Sequence, residues 1–109
     1  MDEPVDLRTF AREPQRFEIV WRGIVIEIRY RPPFARFYLE HPVAYLEVTS
    51  IEPKKAPLPI TKTGYISRVV EGIHIEAEGG PVAYVQAWLE FKASKSAKWR
   101  QRPPLAPLE

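Results

Sequence analysis

The chain has 109 residues, of which 45% are hydrophobic and 12% aromatic, and its formal net charge is +2. That length fits one domain with a modest core, and that composition is typical of a globular protein rather than a disordered one. The sequence contains no cysteine, which excludes disulfides, thiol catalysis and zinc sites built on thiolates.

The same composition predicts a protein without a metal or a cofactor. The two histidines, His41 and His74, are too few and too far apart to predict a metal site. No apolar run approaches the ~20 residues needed to span a bilayer. The N-terminus is acidic and lacks the apolar region of a secretory signal. We therefore expect a cytoplasmic protein that binds neither a cofactor nor a membrane.

Positive charge is concentrated at the C-terminal end. Residues 19–91 contain eight acids and eight bases, whereas residues 92–109 contain five bases and one acid. Residues 93–109 are predicted to form a basic, proline-rich, mobile tail. Residues 1–15 are polar without a sustained period and are predicted to form a flexible arm. A single domain is expected over residues 16–92.

The domain is predicted to begin with a β-hairpin. Hydrophobic and polar residues alternate from Phe17 to Trp21 and again from Ile24 to Tyr30, with Arg22-Gly23 between the two runs. Two such runs joined by a short glycine-containing turn are typical of a tight antiparallel hairpin. Its apolar side is expected to meet the core.

On the solvent side of this hairpin, charges of both signs alternate. Arg29 and Arg31 are expected to pair with Glu27 and Glu47 across the strands rather than form a cationic patch. Each such pair stabilises only weakly, so these residues predict a solvated sheet face.

Two further strands are predicted. Pro32-Pro33 ends the second strand because proline cannot donate to a β-ladder. A third strand is predicted over residues 43–51, with Leu46 and Val48 facing the core. After a proline-rich loop, a fourth strand is predicted over residues 60–69.

A helix is expected to complete the core. Residues 70–78 fit either a strand or a short helix that ends at Gly79. Gly80-Pro81 is a sound helix start because the first helical position needs no N–H, and apolar residues then repeat at helical spacing. Across the sheet–helix interface, Trp21 and Trp88 are expected to be neighbours.

These elements predict the α+β class. The expected architecture is a three- to four-stranded antiparallel sheet that starts with a hairpin. One face of the sheet is covered by a C-terminal amphipathic helix.

Two blocks of the sequence resemble a known family. Residues 57–67 read Pro-Leu-Pro-Ile-Thr-Lys-Thr-Gly-Tyr-Ile-Ser, and residues 79–89 read Gly-Gly-Pro-Val-Ala-Tyr-Val-Gln-Ala-Trp-Leu. Both resemble blocks of a family of small, uncharacterised bacterial proteins, partly associated with plasmids and other mobile elements. In that family an acid is typical where this chain has Lys62, and a histidine where it has Arg68. The resemblance implies a helix after Val70 and brings no activity, substrate or cofactor.

The candidate partner-binding segment is residues 57–68. If it is extended, four hydroxyls recur on one face and two cations lie on the other. Its candidate site residues are Thr61, Lys62, Thr63, Tyr65, Ser67 and Arg68. Two interpretations stay open. The hydroxyls are the solvent face of a strand, where Thr and Tyr are favoured, or they hold a polar ligand, a peptide or a nucleic-acid backbone.

The basic tail is the candidate nucleic-acid site. Cations beside one exposed aromatic residue are the composition that binds phosphates and stacks a base. The candidate residues are Lys92, Lys95, Lys98, Trp99, Arg100 and Arg102. The alternative interpretation is a tail whose charges only keep the protein in solution.

No catalytic constellation emerges from the sequence. Ser67, His74 and Glu71 would supply a nucleophile, a base and an orienting acid, but their spacing includes neither a nucleophile elbow nor an oxyanion-hole glycine loop. We therefore expect no enzymatic activity.

Three functional hypotheses follow. The first is a non-enzymatic interaction module that presents residues 57–68 and a sheet edge to a partner protein or to a second copy. The alternative is a nucleic-acid-binding accessory protein that uses the basic tail. The third is a small-ligand pocket between the sheet and the helix.

Overall fold

A computed structural model describes residues 13–32 and 42–101 of the chain. Its elements are β1 (Gln15–Trp21), β2 (Ile24–Arg31), β3 (Val43–Glu52), β4 (Tyr65–Glu71), α1 (Gly72–Glu78), α2 (Pro81–Ser94) and α3 (Ala97–Gln101). The strands form one antiparallel sheet in the order β1-β2-β3-β4. The predicted α+β class, with a sheet that starts with a hairpin and is followed by C-terminal helices, is confirmed.

The β1–β2 hairpin has the tight turn that its sequence predicts. Trp21 pairs with Ile24 across a two-residue connection. Arg22 and Gly23 both have positive φ, 51° and 82°. Two successive positive φ angles are typical of a type I′ turn, whose twist matches that of the strands it joins.

The helices pack on one face of the sheet, which we call the covered face. Helix α2 packs against β1 and β2, and α1 packs against β4 and α2. The largest fully buried side chains are Ile26, Ile28, Leu46, Val48, Ile75, Val85 and Leu89. The predicted inward orientation of Leu46 and Val48 is therefore confirmed.

The opposite face, which we call the open face, has no helix against it among the described residues. Arg29 lies there between two acids, with nitrogen–oxygen distances of 3.8 Å to Glu27 and 3.8 Å to Glu47. The predicted pairing of Arg29 across a solvated sheet face is confirmed.

Strand β4 starts at Tyr65, later than the predicted start at Ile60. The reason is a turn that the alternating pattern conceals. The backbone N–H of Leu58 donates to Thr61 O at 2.8 Å, and that of Thr61 donates back to Leu58 O at 3.1 Å. Thr61 and Thr63 therefore precede the strand, and the expected row of four hydroxyls on one strand face is wrong.

The ambiguity over residues 70–78 resolves into a strand end followed by a helix. Strand β4 continues to Glu71, and α1 follows at once and ends at Gly79, whose φ of 103° is left-handed. The N–H groups of Gly79 and Gly80 donate to carbonyls of the last helical turn. The helix implied by the family resemblance is confirmed.

The C-terminal region differs from the expectation of a mobile tail beginning at residue 93. Helix α2 starts at Pro81 as predicted but continues to Ser94, and α3 follows. Trp99 is only 7% exposed, so the expectation of an exposed aromatic residue is wrong. Its ring packs on that of Trp21, with centroids 5.6 Å apart. Residues 102–109, which include Arg102, and the predicted arm through residue 12 lie outside the described residues.

The expected pairing of Trp21 with Trp88 is also wrong. The ring beside Trp21 is that of Trp99, whereas the ring of Trp88 lies 6.1 Å from that of Tyr84. A helix placed later in the chain than the prediction allowed therefore occupies the space beside Trp21.

Candidate partner-binding edge

Strand β4 forms one edge of the sheet, because no described strand pairs with its outer side. Hydrogen bonds beyond both ends of its pairing with β3 fix the orientation of its backbone. Ser50 N–H donates to Gly64 O at 2.8 Å, and Gly72 N–H donates to Pro42 O at 2.9 Å. In an antiparallel pair, hydrogen-bonded residues alternate with residues whose backbone groups point the other way.

Counting inward from these two bonds assigns every residue of β4. The residues that direct their N–H and C=O groups toward β3 are Ile66, Arg68 and Val70. The backbone groups of Glu71 therefore point outward, at the edge, as do those of Tyr65, Ser67 and Val69. The side chains of these three residues lie on the open face and are exposed.

Two of the predicted hydroxyls close the beginning of this edge. Thr61 Oγ1 donates to Tyr65 O at 2.9 Å, and Thr63 Oγ1 donates to the same oxygen at 3.3 Å. The Thr63 N–H in turn donates to Thr61 Oγ1 at 3.2 Å. These hydroxyls satisfy an edge carbonyl, so among the described residues the outward backbone of Ser67 and Val69 is the part of the edge that no other strand or loop pairs with.

The loop that carries these threonines is fixed to the sheet. Ser50 Oγ donates to Ala56 O at 2.7 Å inside the protein, and Leu58 is only 3% exposed. Gly64 has a φ of 84°, and a Cβ atom there would lie 2.7 Å from the backbone of Lys55. Backbone packed this closely requires glycine. The segment therefore reaches the edge as a structured turn, with Lys62 exposed.

The Tyr65 hydroxyl is held on the open face. It donates to Glu47 Oε2 at 2.7 Å. The pKa of Tyr65 is raised to about 12, mainly by this hydrogen bond and secondly by partial burial. The hydroxyl therefore stays protonated at neutral pH and acts as a hydrogen-bond donor. A depression of about 490 Å³ beside it is lined by Tyr65, Thr63 and Ile51 with two lysines, Lys54 and Lys55.

Arg68 lies on the other face of β4, between that strand and α2. Its guanidinium stacks over the Trp88 ring at 4.3 Å from the centroid. Two adjoining depressions, of about 450 and 590 Å³, meet at Arg68. We call them together the β4 groove. Its aromatic wall is Tyr84, Trp88 and Phe91, and Phe91 is 57% exposed.

The six predicted partner-binding residues therefore surround an edge rather than share one face. Tyr65 and Ser67 lie on the open face, Arg68 lies in the groove, and the loop residues cap the beginning of the strand. Sequence reasoning missed the groove because the aromatic stripe of α2 was assigned to the core. The sequence did contain a signal for the groove. Arg68 lies two residues from both Ile66 and Val70, so in an alternating strand its side chain lies on the covered face.

The predicted nucleic-acid residues separate into exposed cations and a buried ring. Among these predicted residues, the described cations that are exposed are Lys92, Lys95, Lys98 and Arg100. Lys95 Nζ lies 5.1 Å from the centroid of the Phe91 ring. Trp99 is buried against Trp21, and its carbonyl accepts a 2.7 Å hydrogen bond from Arg22 Nη1. Trp99 therefore cannot stack a base in this arrangement.

Among the described residues there is neither a metal-binding cluster nor a membrane-spanning helix. These residues contain no cluster of three or more His, Asp or Glu side chains that could hold a metal ion. Across residues 13–32 and 42–101, none of the helices has the length and apolar character needed to cross a bilayer. His74 Nε2 lies 3.4 Å from Glu71 Oε1, and both side chains are accessible to solvent.

Comparison with known proteins identifies the family of the chain. No curated protein and no solved structure matches it. A family model described as the KlcB third domain matches residues 14–99, which contain all four strands and nearly all of the described helices. The chain therefore belongs to the KlcB third-domain family.

Proposed function

We propose that this protein is a non-enzymatic interaction module that binds a partner protein by pairing a strand with the edge of β4. The observation that carries the proposal is the outward backbone of Ser67 and Val69 on a regular strand. Sheet edges in natural proteins are usually protected by charged side chains, prolines or bulges. At this edge the outward-facing residues after the capped Tyr65 are Ser67, Val69 and the terminal Glu71. The middle of the edge, Ser67 and Val69, therefore carries no charge, and Val69 is 56% exposed.

The loop of residues 57–64 limits how far along β4 an added strand can pair. The threonine hydroxyls already occupy the carbonyl of Tyr65, so an added strand pairs along Ser67 and Val69 and stops at the loop. Main-chain hydrogen bonds supply affinity in this mode of recognition, and alternate side chains supply specificity. Lys62 lies beside the stop point and is exposed to the same partner.

A selection from a display library of short random peptides tests the proposal. We expect selected peptides to lose at least about tenfold in affinity for Val69→Pro, because the substitution removes one outward N–H. The β3–β4 ladder uses the neighbouring residues, so the free energy of unfolding should fall by no more than about 1 kcal/mol.

Val69→Thr is the matched control because it changes the same side chain and keeps the N–H. Its affinity for the selected peptides should stay close to that of the native protein. Peptides that bind Val69→Pro as well as the native protein would place the interaction elsewhere and refute strand pairing.

Nucleic-acid binding is the alternative function, and one observation favours it. Lys92, Lys95, Lys98 and Arg100 are exposed along α2 and α3, and no acid occurs between Glu90 and Glu109. Titration with single- and double-stranded DNA separates the two functions. Binding to many phosphates weakens steeply as salt rises, whereas main-chain strand pairing with few ion pairs weakens much less.

Family membership is compatible with a module that acts through contacts. The KlcB third domain is by its description one part of a larger protein, and domains of this kind often work beside others. A plasmid or mobile-element setting and a cytoplasmic location stay predictions. The absence of catalysis is likewise part of the proposal.

A further inference from the structure

We propose that the strand bound at β4 is acidic and carries a carboxylate side chain that enters the β4 groove between Arg68 and Lys92. This inference rests on the proposed strand pairing, because pairing is what brings alternate side chains of a partner over the groove. It goes beyond pairing because it names the chemistry of the partner.

The position of Arg68 follows from the alternation of the sheet. A strand added beside β4 directs successive side chains to opposite faces. Side chains on one face lie near Ser67 and Val69, and those on the other face lie near Arg68 and the aromatic wall of α2. Every second residue of the partner is therefore presented to the groove.

Arg68 is held in a form that suits a carboxylate. Its guanidinium carbon lies over the Trp88 ring, 4.3 Å from the centroid, and a guanidinium held against a ring can still present two parallel N–H donors to a carboxylate. Among the described residues, no carboxylate lies within 4.0 Å of Arg68 or Lys92. Two cations beside an aromatic wall therefore have no acid partner within the described parts of the domain.

The groove is electrically polarised along its length. Lys92 lines the larger depression, whereas Glu71 and His74 line the smaller one, and Glu78 lies where the two adjoin. A single carboxylate of the partner is therefore attracted toward the Lys92 end, and a second one near α1 is repelled by the two glutamates. The expected partner strand has an acid at one groove-facing position and a neutral residue at the other.

This charge pattern favours a peptide over a nucleic acid at this site. A phosphate backbone that follows β4 brings a negative charge to each nucleotide, so it meets Glu71 and Glu78 as well as Arg68. A peptide places its charge at a chosen position and also pairs with the strand edge.

The test uses the peptides selected from the random library and measures their affinities for substituted proteins. We expect the selected peptides to contain Asp or Glu at one groove-facing position. Arg68→Gln should weaken their binding about tenfold, and Lys92→Gln should weaken it about threefold. Lys98→Gln, an exposed cation of α3 outside the groove lining, is the control and should leave affinity unchanged.

A double substitution isolates the proposed contact. Replacing the peptide acid by its amide should cost about as much as Arg68→Gln, and Arg68→Gln should have little further effect on that amide peptide. Arg68→Lys should recover part of the affinity because it restores the charge. If Arg68→Gln alters the fold, Lys92→Gln and the amide peptide still decide the question.

The outcomes separate this inference from the proposed function. If Val69→Pro weakens peptide binding but Arg68→Gln, Lys92→Gln and the peptide amide do not, strand pairing stands and the acidic partner is overturned. Insensitivity to Val69→Pro overturns both. Selected peptides without acids, together with oligothymidine binding that Arg68→Gln weakens, overturn the acidic peptide in favour of nucleic acid.

Discussion

The two edges of the sheet, β1 and β4, expose their backbones beside very different side chains. Because Trp21 and Ile24 form the hydrogen-bonded pair next to a two-residue turn, the outward backbone groups of β1 belong to the alternate residues. These are Arg16 and Glu18, which are exposed and of opposite charge, and Val20 beside the turn, which is 68% exposed. At β4 the corresponding central positions are Ser67 and Val69, and Glu71 ends the strand. Charge therefore protects the middle of the first edge against pairing, whereas the middle of the second edge lacks that protection.

The strand ends differ in the same sense. The turn end of β1 is covered by α3. Trp99 packs on Trp21, Arg22 stacks on Trp21 at 4.7 Å, and Trp21 Nε1 donates to Glu90 Oε2 at 2.8 Å. At the beginning of β4 the described residues place a loop that turns at Gly64. Within residues 13–32 and 42–101, a helix and charges therefore close one edge of the sheet, and no described helix or strand covers the other.

The largest expected effect comes from removing the closure at β1. Trp99→Ala should lower the free energy of unfolding by about 3 kcal/mol, because it deletes a large buried ring and leaves a cavity beside Trp21. Urea denaturation measures the loss. Lys98→Ala, one residue earlier and exposed, should change stability by less than about 0.5 kcal/mol. A loss below about 1 kcal/mol for Trp99→Ala would show that α3 does not stabilise the β1 end.

The next effect concerns the loop that limits β4. Gly64→Ala places a Cβ 2.7 Å from the Lys55 backbone at a φ of 84°. We expect a loss of about 2 kcal/mol, which combines the positive-φ cost with the steric conflict. Thermal unfolding measures it, and the β4 amides should shift in NMR spectra.

Gly79→Ala separates the two contributions of that substitution. Gly79 also has a positive φ, 103°, but a Cβ atom there would lie at an ordinary 3.6 Å from the Cβ of Ala83, so the substitution carries the backbone cost alone. Gly64→Ala should therefore be the more destabilising of the two. Equal losses of stability would mean that the loop moves away from Lys55 without cost. The loop would then not be a rigid stop for a strand paired with β4.

Local patterns predicted most of this fold, and long-range contacts produced the exceptions. The hairpin and the start of α2 follow from neighbouring residues, namely a two-residue turn and Pro81. The burial of Trp99 depends on Trp21, which lies at the other end of the chain, so a local pattern could not reveal it. At β4 the alternation from Thr61 to Ser67 runs through a turn without a break, which explains the misplaced start.

The candidate site was predicted in part for the same reason. Its residues around the beginning of β4 were identified from composition, but their arrangement around an edge depends on the register with β3. The groove depends on Arg68 and Trp88, which lie on different elements. Their contact becomes visible only when helix and strand are packed.

The smallest expected effect tests how the open face holds β4 to its neighbour. Tyr65→Phe removes the 2.7 Å hydrogen bond to Glu47 and should lower the free energy of unfolding by about 0.5 kcal/mol, as exposed charge-assisted contacts usually do.

The same hydrogen bond predicts a dependence on pH, because folding raises the pKa of Tyr65 from 10.0 to about 12. The contribution of the Tyr65 hydroxyl to the free energy of unfolding is therefore complete below pH 10.0 and is lost as pH rises toward 12. The reason is that the unfolded chain releases the hydroxyl proton at a lower pH than the folded protein does. The difference in unfolding free energy between native and Tyr65→Phe proteins should be constant near neutral pH and shrink in alkaline solution. A difference that persists unchanged above pH 10.0 would mean that the hydroxyl aligns β4 without depending on Glu47.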